Sequence, residues 1–198
     1  MKIESYNRKK QTAEIIYEDK MRVISEEAAA LMRIDIHKDI PDELIPELLV
    51  ESEKILCRKY LYEQISKYSK TKRGYYKKLV EKGYSKEISR ESVDHAEENG
   101  YIDDFRYAER YVEINHGHKG HYKLKTELLN KGISSAIAEE VLRELPSQEN
   151  EALTMARKLS KTPPQSREEK AKLARRLASR GFGYDEVNYA INHLSDEE

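Results

Sequence analysis

KKLVEKGYS (77–85), TELLNKGIS (126–134) and RRLASRGFG (175–183) are three versions of one phrase. Their glycines, Gly83, Gly132 and Gly181, lie 49 residues apart both times. Each phrase has a leucine (Leu79, Leu128, Leu177), a basic or polar helix ending, a glycine, then an apolar or aromatic residue. Glycine reaches the left-handed backbone conformation that closes a helix without the steric cost a side chain would bring. Ser85, Ser134 and Asp185 are then placed to cap the helix that follows. Punctuation at a fixed period marks a repeat.

Around each mark the apolar residues recur at helical spacing. KILCRKYLYEQISKYS, YYKKLVEK and KEISRESVDHAEE make one set of three helices. FRYAERYVE, YKLKTELLNK and SSAIAEEVLREL make the second. EALTMARKLSK, REEKAKLARRLAS and YDEVNYAINHL make the third. A unit of about 50 residues has little core of its own and gains from a neighbour. Residues 12–24, TAEIIYEDKMRVI, read differently: Ile15, Tyr17, Val23 and Ile24 favour strands, and Glu18-Asp19-Lys20 can turn, giving a β-hairpin. Ser25 is placed to cap a helix beginning with Glu26 and Glu27, and Asp39–Asp42 opens the next helical region, with Pro46 near its start. The fold expected is mainly α: tandem three-helix modules in an elongated array behind a small N-terminal β-hairpin element. The divisions are 1–50 for the hairpin and helix element, 51–99 for module 1, 100–147 for module 2 and 148–198 for module 3.

Charge sharpens this division. The formal net charge is only -1, from 36 Lys+Arg and 37 Asp+Glu, yet residues 54–90 carry 12 basic and 3 acidic side chains. Neutrality is therefore a cancellation between regions, and a local polyanion or acidic-protein contact stays open. Lys70, Lys72, Arg73, Lys77 and Lys78 interleave with Tyr68, Tyr75 and Tyr76, while Gly74 offers close approach to the backbone. Lys119, Lys123 and Lys125 form a second basic group, and Lys170, Lys172, Arg175, Arg176 and Arg180 a third. The alternative is a set of solvated helix faces, with Tyr76 and Leu79 in the core.

No catalytic constellation stands out. Asp103 and Asp104 are adjacent, so on a helix they point in different directions and suit capping better than acid–base work. His116, His118 and His121 flank Gly117 and Gly120, which reads as an interhelix loop rather than a metal site. Cys57 is the only cysteine and reads as a small buried side chain. No GxxxxGK[ST] phosphate loop is present. Residues 1–24 lack a signal-peptide pattern, and no 18-residue apolar run occurs. The expectation is a cytoplasmic, non-enzymatic monomer with no cofactor, metal or membrane contact.

Gly100-Tyr101-Ile102-Asp103-Asp104-Phe105-Arg106-Tyr107-Ala108 resembles the hallmark motif of the bacterial RecX regulatory proteins. GHYKLKTELLNKGI (120–133) is similar to that family's second-module signature, with Gly132 at its turn. Gly181-Phe182 with Arg180, and Tyr184-Asp185-Glu186-Val187, resemble its third-module ending. The resemblance covers nearly the whole chain. It implies curved tandem modules that bind RecA–DNA filaments. It further implies modulation, mostly inhibition, of RecA ATPase, strand exchange and coprotease activity in DNA recombination, repair and the SOS response. The three basic groups would then face RecA or DNA, while the hallmark residues serve structure. Two departures stand out: the first module is unusually basic and lacks a Glu the family often has, and Lys123 stands where the family commonly has Arg. The alternative reading is a helical DNA-binding protein, for single- or double-stranded DNA, acting through its basic first module.

Overall fold

The computed structural model describes residues 3–160 and 162–194. Two compact units divide the chain between Ile102 and Asp103.

The first unit begins with an antiparallel sheet in the order β1 (Ser5–Asn7), β2 (Thr12–Tyr17), β3 (Lys20–Ser25). The hairpin expected over 12–24 is thus present, and β1 adds a third strand to it. Tyr17 pairs with Lys20, and the two residues between them, Glu18 and Asp19, both have positive φ, 52° and 57°. That geometry matches the twist of the strands it joins. Ala13, Ile15 and Ile24 pack on one sheet face against Ala28 and Ala29 of α1 (Glu26–Leu31) and Leu48 of α2 (Ile45–Lys67). A short 3-10 turn at Asp42–Leu44 leads into α2, and Pro46 sits in its first turn, where a missing N–H costs nothing.

Helix α2 has 23 residues and spans roughly 35 Å. It runs unbroken through residue 50. Its start completes the sheet core, and its later residues Cys57 and Leu61 enter a second core with Tyr75 and Leu79 of α3 (Lys72–Lys82), Val93 and Ala96 of α4 (Lys86–Glu98), and Ile102. Cys57 is fully buried, with Ser92 Oγ 3.4 Å from its sulfur, and burial pushes its thiol pKa up. Ser25 departs from expectation. It stands at the N-cap position of α1, but its side chain caps nothing. Its N–H donates instead to Ser52 Oγ of α2 at 2.9 Å, tying strand to helix across 27 residues.

The second unit holds two three-helix sets. The first comprises α5 (Asp104–Asn115), α6 (His121–Lys131) and α7 (Ser135–Arg143) around Ala108, Val112, Leu124, Leu128 and Ala138. The second comprises α8 (Glu149–Leu159), α9 (Arg167–Ala178) and α10 (Tyr184–Asn192) around Ala152, Ala156, Leu173, Leu177, Phe182 and Ala190.

One latch closes α3, α6 and α9. Gly83, Gly132 and Gly181 adopt φ of 105°, 94° and 90°. Each donates to the carbonyl three residues back: Val80 at 3.0 Å, Leu129 at 2.9 Å and Ala178 at 2.9 Å. The next residue, Tyr84, Ile133 or Phe182, donates to the buried leucine five back, Leu79, Leu128 or Leu177. This pairing satisfies helix-end carbonyls otherwise left without donors. Ser85 and Ser134 then cap as expected, accepting from Ile88 and Ile137. Asp185 does not: Gly183 holds the N-cap position of α10, and Asp185 lies in its first turn. The 49-residue period leads from Ser134 to Gly183, so the third copy has lost the capping side chain. Asp185 instead places negative charge at the positive helix end.

Candidate functional site

The hallmark stretch 100–108 is connective. Gly100, at φ 73°, turns the chain out of α4, donating to Glu97 at 2.8 Å, while Tyr101 donates to Ala96 at 2.8 Å. Ile102 anchors in the core of the first unit. Asp103 caps α5, accepting from the Arg106 N–H at 2.9 Å. Ala108 is fully buried in the next core, and Phe105 packs against it. These residues turn, cap and pack the chain as it passes from α4 to α5.

The basic stretch of the first unit splits into two faces of α3. Lys72 turns inward, its ammonium 2.6 Å from both Asp94 and Glu97 of α4, which hold its pKa above the ordinary lysine value. Arg73 is exposed. Lys70, Gly74, Lys77 and Lys78 follow helical spacing onto the other face. There, with Tyr60, Glu81 and Lys82, they line an open cleft of about 490 Å³. The sequence reading missed Lys82 and Tyr60. Lys82 was legible as the i+4 neighbour of Lys78, whereas Tyr60 comes from another helix. Lys78 lies 5.0 Å over the exposed Tyr68 ring. Tyr75 is buried, and its hydroxyl donates to the Tyr68 carbonyl, so it is core and not part of the outward aromatic set.

In the second unit the Lys119 ammonium binds Glu127 at 2.6 Å and the Tyr111 hydroxyl at 3.2 Å. The same hydroxyl donates to Glu127 at 2.6 Å. Lys125 pairs with Glu139 at 2.8 Å. Lys123 is half-buried without an ion pair among the described residues. Lys170, Lys172 and Arg175 are exposed on α9. Three guanidinium groups reach back to backbone: Arg175 to the Ala171 carbonyl at 3.3 Å, Arg176 to the Leu159 carbonyl at 2.8 Å, and Arg180 to the Arg176 carbonyl at 3.1 Å.

The histidine-bearing loop 116–121 is held at both ends. Buried Gln148, which sequence reasoning did not single out, donates to the carbonyls of His116 at 2.9 Å and Lys119 at 3.2 Å. The Gly120 N–H donates to the Arg180 carbonyl at 2.9 Å, and the Tyr122 N–H to the Gly181 carbonyl at 3.2 Å. The two three-helix sets therefore meet backbone to backbone at Gly120 and Gly181. No group of three or more His, Cys, Asp or Glu suited to a metal occurs among the described residues. Among those residues, no helix is long and apolar enough to cross a membrane.

Burial opposes ionisation of Glu127, but the hydrogen bonds from Lys119 and Tyr111 overcome it, and its pKa falls below the ordinary glutamate value. Stability from such a group is present above the unfolded pKa and fades as pH falls through the folded one. Glu127→Gln is therefore expected to cost about 1 kcal/mol at neutral pH. That difference should shrink toward zero in acid, as measured by urea unfolding across a pH series. A cost independent of pH would show that the ion pair contributes nothing to it.

Comparison with known proteins follows these joints. The family described as RecX, second three-helix domain, matches residues 103–142, and RecX, third three-helix domain, matches 148–191. The regulatory protein RecX of Clostridium tetani is 30% identical over 98% of this chain and 93% of its own length. That of Neisseria gonorrhoeae is 33% identical over 63% of this chain and 81% of its own. The crystal structure of RecX from Lactobacillus salivarius superposes with a TM-score of 0.65 at 26% identity, covering 72% of this chain and 96% of that one. A second crystal structure, of regulatory protein RecX, has a TM-score of 0.73 at 21% identity over 97% of this chain, a likeness of fold. The chain belongs to the RecX family of regulatory proteins.

Proposed function

We propose that this protein binds RecA–DNA filaments and restrains them, lowering RecA's ATPase, strand exchange and coprotease activity without catalysing a reaction itself. The observation that carries this reading is the match to a regulatory protein RecX along 98% of the chain. Repeated modules support it physically. Each presents a modest contact, and linked contacts gain from effective concentration when they engage neighbouring subunits of one polymer.

The docking surface would use cations not already committed within the fold. Lys70, Arg73 and Lys78 on the first unit, and Lys123, Lys170 and Lys172 on the second, are the better candidates; Lys77 and Arg175 are exposed but already engaged, Lys77 with Glu81 at 3.7 Å and Arg175 with the Ala171 carbonyl at 3.3 Å. Lys72, Lys119 and Lys125 lie against carboxylates. Surface pairs are worth about 0–1 kcal/mol, so a partner could exchange them at small cost.

Co-sedimentation of the protein with RecA filaments assembled on single-stranded DNA tests the reading. The chain should pellet with filaments, and reversing Lys170 and Lys172 to Glu should weaken this about tenfold. Failure to pellet at saturating protein would overturn it.

A further inference from the structure

A second cleft opens beside the lysine cleft in the first unit. It holds about 660 Å³ and lies between the outward face of the sheet, the middle of α2 and the turn after α3. Val23 of β3, Leu56 and Tyr60 of α2, and Tyr84 beyond Gly83 supply its apolar lining. Tyr60 and Lys82 line both clefts, so the two form one furrow: at the sheet end an apolar strip framed by Lys10, Glu14, Lys59 and Glu63, and at the α3 end a cationic stretch. The apolar character continues past the furrow, because Ile16 and Met21, paired on the same sheet face, are 45% and 57% exposed.

Charge at the other end is one-sided. Glu81, the one acid lining that end among the described residues, has Lys77 at 3.7 Å, while Glu63 of the sheet-end cleft has Lys67 at 2.5 Å. Among the described residues, Lys70, Lys78 and Lys82 form no ion pair; Lys78 and Lys82 rest over the rings of Tyr68 and Tyr60. Free ammonium groups beside an apolar trough favour a ligand carrying bulky apolar groups followed by carboxylates.

The aromatic geometry separates this ligand from a nucleic acid. Base stacking needs an open ring face. The Tyr60 ring has the Lys82 ammonium 5.7 Å above it and Tyr84 tilted against it with centroids 6.0 Å apart. The Tyr84 hydroxyl donates to the Leu56 carbonyl at 3.1 Å, and burial raises its pKa to about 12. Both rings are held in the wall by these contacts.

We propose that this furrow is the docking site for an acidic peptide segment of a partner protein, with aliphatic side chains in the Val23–Leu56–Tyr60 trough and carboxylates on Lys70, Lys78 and Lys82. It deepens the filament reading by naming the kind of partner segment the first unit takes. It rests on that reading only for there being a protein partner, and the assay below contains no RecA, so the two fail separately.

The test is fluorescence anisotropy of the full chain with a fluorescein-labelled peptide of two leucines followed by a run of glutamates. Saturable binding is expected. It should weaken about tenfold in Lys78→Glu/Lys82→Glu and about tenfold in Val23→Asp, and stay unchanged in Lys170→Glu/Lys172→Glu, all with wild-type circular dichroism. A peptide of glutamates alone should bind about tenfold more weakly, having lost its apolar anchor. No saturable binding, or binding indifferent to both furrow variants, would overturn the proposal. Oligothymidylate that binds more tightly than the peptide and is lost with the same variants would overturn it in favour of a nucleic-acid groove.

Discussion

Gly120→Ala is expected to destabilise the second unit by about 3 kcal/mol or more, read from urea unfolding. A methyl group on Gly120 would stand 2.1 Å from the carbonyl carbon and oxygen of Gly181 and 2.2 Å from the Phe182 nitrogen. Those neighbours are backbone atoms inside the third latch and cannot swing aside as a side-chain tip could. Displacing them breaks the Gly120–Arg180 and Tyr122–Gly181 hydrogen bonds together. Gly181→Ala should cost at least as much, because it adds left-handed backbone strain at φ 90° to a clash 2.4 Å from the Lys123 nitrogen. Gly117→Ala in the same loop meets nothing within 4 Å and should be close to neutral. If all three variants unfolded alike, the backbone junction would not be a source of stability.

Leu128→Ala should cost about 3 kcal/mol, within the roughly 2–5 kcal/mol range for emptying a well-packed core position. Leu128 is fully buried beside Leu124. It lies in the last turn of α6, and its carbonyl accepts the Ile133 N–H that closes the latch at 3.1 Å. The same residue therefore fills the core with its side chain and closes the turn before α7 with its carbonyl. Leu79 and Leu177 hold the same place in the other two copies and are as deeply buried. Leu79→Ala and Leu177→Ala should therefore fall within about 1 kcal/mol of it. A cost below about 1 kcal/mol at any of the three, by urea or thermal unfolding, would show that the copies share a sequence phrase without sharing its mechanics.

What could be read from sequence was what local chemistry controls. The leucine, glycine and capping serine of the first two phrases act within nine residues, and both copies fold as their spacing requires. Asp185 was misjudged because the third copy replaces the capping serine with Gly183, and only the period reveals it. Strand β1 went unseen since Ser5-Tyr6-Asn7 has no apolar alternation; it exists because Glu14, Ala13 and Thr12 offer it a ladder. Ser25 looked like a cap but gave its N–H to Ser52, a choice made by tertiary packing.

The candidate surface was legible as composition but not as arrangement. Lys72 sits in a basic run, yet its partners Asp94 and Glu97 lie more than 20 residues away on α4. Lys82 and Tyr60 join Lys70, Lys77 and Lys78 only once α2 and α3 pack. The helix face occupied by each lysine follows from 3.6-residue periodicity, but the carboxylates opposite do not.

The measurement that bears most directly on the central claim is RecA's ATPase on single-stranded DNA, followed while this protein is titrated in. The account predicts a saturable fall in hydrolysis, weakened by charge reversal at Lys170 and Lys172. An unchanged rate at saturating protein, with RecA filaments intact, would contradict it.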